Sequence, residues 1–236
     1  FLLASGLIVG PLTGWFDPDP LFGDLLFPLI SLSVAIILFE GSLTLDFAEI
    51  RAQKNVVQRL ITIGALVTWG VIAAATHYLF ELSWSLSVLF GALTVVTGPT
   101  VIVPMLRTVR PNASIGNILR WEGILIDPIG ALLVVVVYEF MVAQGQALGL
   151  TSGLLAFVEI IAAGSIMGLA GGWILSAILK RHWVPDYLEN LATLSLVFVV
   201  FGVANALAHE SGLLAVTLMG MWLANQKDIR MAEILN

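Results

Sequence analysis

The sequence predicts an all-α polytopic membrane protein with about eight transmembrane helices. Three observations lead there. Of the 236 residues, 59% are hydrophobic and only 11% charged, whereas soluble domains carry about 25% charged residues; the mean hydropathy is +1.01. The apolar residues fall into eight runs, roughly 1–15, 25–46, 57–80, 84–106, 114–142, 152–180, 187–208 and 212–225. Most are long enough to cross a bilayer as helices, and none shows the short alternating pattern of a barrel strand. Finally, the basic residues alternate from one connection to the next. All ten Lys and Arg lie at every second end: Arg51, Lys54, Arg59; Arg107, Arg110, Arg120; Lys180, Arg181; Lys227, Arg230. The intervening connections carry Asp17, Asp19, Asp24, Glu81, Glu139 and the pair His209-Glu210, without a Lys or Arg. A miscounted span would scramble that pattern. The positive-inside rule makes the basic ends cytoplasmic, and the protein is expected in the plasma (cytoplasmic or inner) membrane.

The same composition narrows the function. With no cysteine, there is no disulfide framework, thiol chemistry or Cys-based metal site. The acidic pI of about 4.9 says little about partners, because most charges sit in a few short loops; no nucleic-acid partner is expected. No GxxxxGK[ST] loop, HExxH or GxSxG motif occurs, so neither ATP-driven nor enzymatic chemistry is expected.

Taken in order, the first run begins inside apolar sequence at Phe1, and the last is followed by a charged stretch, so the chain reads as an internal piece of a longer protein. Asp17-Pro18-Asp19-Pro20 is a rigid acidic turn, and residues 144–151 read as a polar turn. The second run carries Glu40 in Leu38-Phe39-Glu40-Gly41, about six residues from its cytoplasmic end. That carboxylate reads equally as part of an ion site or pathway and as a helix-end group.

The fourth run is interrupted by Thr97-Gly98-Pro99-Thr100. A Gly-Pro pair breaks a helix and exposes carbonyls from one half and N–H groups from the other. At mid-membrane depth such backbone is tolerated only within protein or beside a wet cavity, and secondary transporters coordinate ions there. Thr97 and Thr100 add hydroxyls, which could also simply heal the break.

The fifth run holds Glu122-Gly123-Ile124-Leu125-Ile126-Asp127-Pro128. Asp127 is near its midpoint, and a carboxylate at the bilayer centre costs about 2.5–3.5 kcal/mol on insertion scales. Too short to snorkel, it must be protonated, ion-paired or open to water. Pro128 frees the carbonyl of Ile124 one turn back. A carboxylate beside free carbonyl oxygens is a hard-cation site. Glu122, about 140° around the helix from Asp127, reads as a structural ion-pair partner or as a second cation contact.

Other features read as packing. Glu159 lies toward the outer end of the sixth run. Gly164, Gly168 and Gly172 recur every fourth residue and mark a helix interface, within or between chains. His77 and His182 lie at helix ends, and His209-Glu210 lacks the rest of a metal motif. Trp15, Trp84 and Trp183 fit interfacial belts.

These residues resemble the monovalent cation:proton antiporters of the sodium/hydrogen exchanger type, the largely electroneutral branch. The family's Thr-Asp-Pro motif on a broken helix is matched by Thr97-Gly98-Pro99, and its Glu-Ser-x-x-Asn-Asp signature by Glu122 to Asp127. Phe39-Glu40-Gly41 resembles an earlier family stretch. Ser211-Gly212-Leu213-Leu214-Ala215 with Gly220 is typical too.

The resemblance implies an inverted-repeat fold with a discontinuous helix near Thr97–Thr100, of which this chain holds most of the first repeat. It implies that Na+ or K+ is held at Asp127 and Thr97, with Glu40 contributing from a facing helix. Glu122, Gly98, Pro99, Thr100 and Gly123 would support the site, with Glu122 pairing to an arginine on a later helix. The whole chain, 1–236, would be one transporter domain. Residues 57–142 would form the ion-binding core, 1–46 and 187–225 scaffold and dimerisation helices, and 152–180 a linking helix. The implied activity is exchange of a monovalent cation for protons in pH homeostasis, without cofactor, by a homodimer in the bilayer. The departures are Gly98, Gly123 and Ile126, where the motifs have Asp, Ser and Asn. With Ile126 unable to titrate, one carboxylate remains, which fits one-for-one exchange. The rivals are a cation channel, for which no filter-like ring motif is visible, and a proton-coupled symporter, for which Arg120 is the only basic residue near the site.

Overall fold

The computed structural model describes residues 2–51, 53–142, 147–181 and 183–226, and among them every regular element is helical. His182, residues 144–146 of the expected polar turn, and Lys227 and Arg230 lie outside the described residues. The chain divides into two compact units, Phe1–Val34 and Ala35–Asn236.

In the first unit, α1 (Leu2–Leu7) continues into a π-helical turn, Ile8–Leu12, that contains Pro11. The Thr13 hydroxyl closes that turn by donating to the Ile8 carbonyl at 2.7 Å. Asp17 then caps α2 (Pro18–Phe22) by accepting from the Asp19 N–H at 3.2 Å. A 3-10 turn at Gly23–Leu25 leads into α3 (Leu26–Ser42), whose last turns belong to the second unit.

α3 ends at Ser42, so Glu40 is two residues from the helix end instead of the six expected. The terminator is local. Thr44 turns its hydroxyl back to the Gly41 carbonyl at 2.7 Å, and Asp46 caps the next helix, α4 (Phe47–Ile50), through the Ala48 N–H at 2.7 Å. After α5 (Lys54–Arg59), a π-helical turn at Leu60–Gly64 runs into α6 (Ala65–Phe80). Glu81, in the left-handed conformation, ends α6, and Ser83 caps α7 (Trp84–Thr94). A four-residue break, Val95–Gly98, separates α7 from α8 (Pro99–Val109). Asn112 starts α9 (Ala113–Val142) by accepting the Ile115 N–H at 2.9 Å.

α10 (Ala147–Lys180) begins five residues before the expected boundary and consumes the second half of the polar turn. Ala and Leu in Ala147-Leu148-Gly149-Leu150 carry the helix through, because one glycine costs only about 1 kcal/mol against Ala. α11 (Glu189–Leu207) and α12 (Ser211–Ala224) complete the chain.

Among the described residues, five helical stretches are long and apolar enough to cross a membrane: Pro18–Ser42, Lys54–Phe80, Ala113–Val142, Leu155–Lys180 and Glu189–Leu207. Trp84–Thr94 and Ser211–Ala224 are shorter apolar helices. With α1 and the α7–α8 pair, every one of the eight apolar runs is helical.

α9 is the centre of the second unit, touching α4, α5, the Leu60–Gly64 turn, α7, α8, α10 and α12. Two apolar clusters hold it. Trp121 and Ile124 pack with Leu45, Ile50, Val57 and Met221, and Ile126 packs with Ala65 and Val95. On the other side, α10 lies along α12. Bulk placed on Gly164 would strike Leu214, on Gly168 the Ala215 main chain, and on Gly172 Trp222. The four-residue glycine repeat is therefore an interface within the chain. The end of α3 joins the same group, since Gly220 lies against Phe39 and Ser42. Asn225 fastens the following turn, accepting the Phe47 N–H at 2.9 Å and donating to the Leu45 carbonyl at 3.0 Å.

Candidate functional site

α9 has 30 residues and Asp127 is its fifteenth. At 1.5 Å per residue the carboxylate is roughly 21 Å along the axis from either end, the middle of a helix longer than a hydrocarbon layer about 30 Å thick. The helix runs through Pro128 without ending, so the backbone of Ile124 loses its usual partner while the axis continues.

The direction of Asp127 follows from two glycines. Gly123, Asp127 and Gly130 are spaced i, i+4, i+7 and share one face of α9. A Cβ on Gly123 would lie 3.3 Å from Cγ1 of Ile102 on α8, and one on Gly130 would overlap Cγ2 of Val96 in the break. The face that carries Asp127 is thus pressed against the α7–α8 break, above and below the carboxylate. Asp127 itself is half-buried.

The break is held open by its own backbone. Gly98 has φ +56° and ψ 123°, a conformation that a residue with a Cβ rarely adopts. Pro99 occupies the first turn of α8, where its missing N–H costs nothing. The Gly98 carbonyl accepts the Val101 and Ile102 N–H groups at 3.3 and 3.4 Å and so starts α8. On the other side α7 ends without a continuing helix to satisfy its last carbonyls, and the Thr94 hydroxyl donates to those of Phe90 and Gly91 at 2.9 and 3.1 Å. The side chains of Pro99 and Thr100 lie outside the described part of the structure.

Thr97 spans the gap. Its hydroxyl donates to the Glu122 carboxylate, 3.1 Å from Oε1 and 3.2 Å from Oε2. A hydroxyl that donates its proton keeps oxygen lone pairs for an electropositive partner. Glu122, half-buried, therefore positions Thr97 from within this chain. Ile126, about 100° around α9 from Asp127, is 2% exposed and packs on Ala65 and on Val95 at the start of the break.

Glu40 is not brought to the same point. Its neighbour Gly41 lies against Ile124, 3.5 Å from the isoleucine side chain for an added Cβ. That contact sets the end of α3 beside α9, but Glu40 is turned about 100° away around α3 and is exposed. The structure thus gathers Thr97, Gly98, Glu122, Gly123 and Asp127 around one break and leaves Glu40 on a neighbouring surface. No cluster of three or more His, Cys, Asp or Glu suited to a metal ion occurs among the described residues. His77, expected only as a helix-end residue, stacks on Trp84 at 4.0 Å between ring centres, with Nδ1 2.7 Å from the Leu82 carbonyl oxygen.

Val96 and Gly130 were not legible as site residues from composition. The spacing Gly123, Asp127, Gly130 is the signal that could have found the second.

Comparison with known proteins adds an independent line. The profile of the family described as "Sodium/hydrogen exchanger, transmembrane" matches residues 1–233. A K(+)/H(+) antiporter, NhaP2, of Shewanella oneidensis is 26% identical over 238 residues, covering 100% of this chain and 41% of its own length. A Na(+)/H(+) antiporter, NhaH, of Halobacillus aidingensis is 26% identical over 195 residues, covering 81% of this chain and 48% of its own. The structure of the sodium proton antiporter MjNhaP1 from Methanocaldococcus jannaschii superposes with a TM-score of 0.77 at 23% identity, over 95% of this chain and 55% of that one. The chain thus spans about half the length of the relatives it matches.

Proposed function

For a chain that belongs to the transmembrane sodium/hydrogen exchanger family, we propose secondary antiport of a monovalent cation, Na+ or K+, against protons, with both competing for Asp127. The observation that carries the reading is the placement of one half-buried carboxylate at the centre of α9, on the face pressed against a broken helix. The relatives named as Na(+)/H(+) and K(+)/H(+) antiporters support the same class of transport.

The chemistry follows from that arrangement. A deprotonated Asp127 supplies the charge that a dehydrated cation needs. Carbonyl oxygens from the break, the Thr97 oxygen and the Ile124 carbonyl freed by Pro128 replace water. A proton on Asp127 removes that charge and releases the cation. Because the two ligands exclude each other, the carboxylate crosses the membrane either protonated or cation-loaded, and the fluxes are coupled. With Ile126 packed away in apolar surroundings, one carboxylate exchanges one cation for one proton, which is electroneutral. The transported ions are substrates, and no cofactor enters.

The helices of residues 57–142 would carry the site, and 1–46 with 187–225 would form the scaffold and dimer helices. Residues 152–180 would link the two. In support, α10 touches α9 as well as α11 and α12. The Lys- and Arg-bearing ends would face the cytoplasm. A homodimer in the plasma membrane is the assembly in keeping with this reading.

The test is proteoliposome flux with the full-length gene product. Pyranine-reported proton movement out of acid-loaded vesicles should follow addition of Na+ or K+, and a valinomycin-imposed potential should leave its rate unchanged. Cation entry without counter-movement of protons would instead indicate a channel, and cation and proton moving in the same direction a symporter.

A further inference from the structure

We infer that Gly130, by seating Val96, fixes the width of the cation site and thereby which monovalent cation fits it. This deepens the antiport reading and rests on it.

Gly130 is one turn beyond Asp127 on the same face of α9. The side chain opposite it is Val96, the residue that precedes Thr97 in the break. The approach leaves no room for a methyl group: a Cβ on Gly130 would overlap Cγ2 of Val96 and lie 3.6 Å from its Cβ and 4.0 Å from its Cα. Valine is β-branched and stiff at χ1, so it has few ways to swing aside.

The surroundings are equally unyielding. Val95, next in the chain, is buried with Ile126 and Ala65. One turn before Asp127, Gly123 lies against Ile102 at the start of α8. Side chains of the break (Val96) and of the start of α8 (Ile102) are thus seated on α9 at two glycines that bracket the carboxylate. The gap between Asp127 and the carbonyls around Thr97 is set by how far Val96 sinks into the notch at Gly130. Packed interiors transmit a methyl group of overlap as main-chain displacement. Discrimination among hard cations depends on cavity size and ligand number.

Gly130→Ala should therefore lift the break away from Asp127 and widen the site, favouring K+ or Rb+ over Na+ or Li+. Val96→Ala should let the break settle closer and shift preference toward the smaller ions. The double variant Gly130→Ala/Val96→Ala should return toward the wild-type ratio, because the added methyl occupies the space vacated by valine.

The experiment measures apparent affinities for Li+, Na+, K+ and Rb+ in two ways on the full-length protein: proton flux in proteoliposomes, and the rise in melting temperature on adding each chloride salt. Gly130→Ala is expected to move the K+/Na+ affinity ratio by roughly tenfold, equivalent to about 1.4 kcal/mol, with the opposite direction for Val96→Ala. A contact that served stability alone would lower melting temperature or maximal flux for all four ions alike. Should Gly130→Ala fail to fold, Val96→Ala decides alone. Wild-type cation ratios in a folded Val96→Ala protein, or shifts of both single variants in the same direction, would overturn the inference and leave antiport intact. A wild-type protein that moves no protons in response to any cation would defeat the antiport reading and this inference together.

Discussion

The break between α7 and α8 depends on a glycine, and Gly98→Ala measures how much. At φ +56° and ψ 123°, Gly98 sits where an L side chain meets its own backbone. Holding a residue with a Cβ in such a region costs about 1–3 kcal/mol. No alternative shape is available without moving the start of α8, because the Gly98 carbonyl receives the Val101 and Ile102 N–H groups of its first turn at 3.3 and 3.4 Å. For a chain of 150–250 residues, each kcal/mol lowers Tm by about 2–4 °C. The expected loss for Gly98→Ala is therefore on the order of 2–12 °C, with cation-driven proton flux falling at least as steeply because Thr97 is attached to the strained residue. Gly70→Ala is the control. Gly70 is inside α6 with nothing within 4 Å of an added Cβ, and there alanine should be neutral or stabilising by up to about 1 kcal/mol. The assay is thermal unfolding of the purified full-length protein beside flux at equal reconstituted amounts. A Gly98→Ala protein with the Tm and flux of the Gly70→Ala control would show that the break does not require the glycine conformation.

Two further substitutions separate the partners around Asp127. Thr97→Val removes the hydroxyl that bridges to Glu122 and should cost about 1–3 kcal/mol in a denaturation midpoint, with Thr97→Ser restoring flux. Equal flux from the valine and serine proteins would remove Thr97 as an oxygen ligand and as a tether. Ile126→Asp places a carboxylate among Ala65 and Val95, where a charge costs about 2.5–3.5 kcal/mol on insertion scales beyond the lost burial. It should yield poorly folded protein by size-exclusion chromatography, not a voltage-sensitive exchanger. A well-folded Ile126→Asp protein whose flux responds to membrane potential would contradict the orientation given to that residue.

Much of this arrangement was legible in the sequence because a bilayer punishes exceptions. Asp127 and Gly98-Pro99 stood out against an otherwise uniform apolar background, and the alternation of ten basic residues pointed to eight apolar runs, each of which contains helix. Helix ends were less legible. α3 stops at Ser42 because Thr44 and Asp46 form local hydrogen bonds that compete with the helix, whereas α10 runs back to Ala147 because a lone Gly149 is a weak stop.

Partnerships were the least legible. Glu122 is expected to pair with an arginine on a later helix, and its partner within this chain is the Thr97 hydroxyl, 25 residues away in sequence and adjacent only once the break forms. Glu40 read equally as part of an ion site and as a helix-end carboxylate. It is one helical position from the residue that faces α9, and a rotation of about 100° is enough to leave it on another surface. Ile126 read as a lost ligand, and its burial against Val95 gives it a role in holding the break to α9 instead.

The central claim is that cation and proton share one carboxylate, and Asp127→Asn tests it most directly. Asparagine matches aspartate in size and keeps hydrogen-bonding capacity without a titratable charge. The measurement is pyranine-reported proton flux in proteoliposomes of the full-length protein on adding Na+ or K+. Size-exclusion profile and Tm verify folding, and wild-type flux is recorded across a pH series. Asp127→Asn should be folded and silent, and the wild type should show an apparent cation KM that rises as pH falls while maximal flux at saturating cation holds. Saturable cation-dependent proton exchange by a folded Asp127→Asn protein would contradict the account.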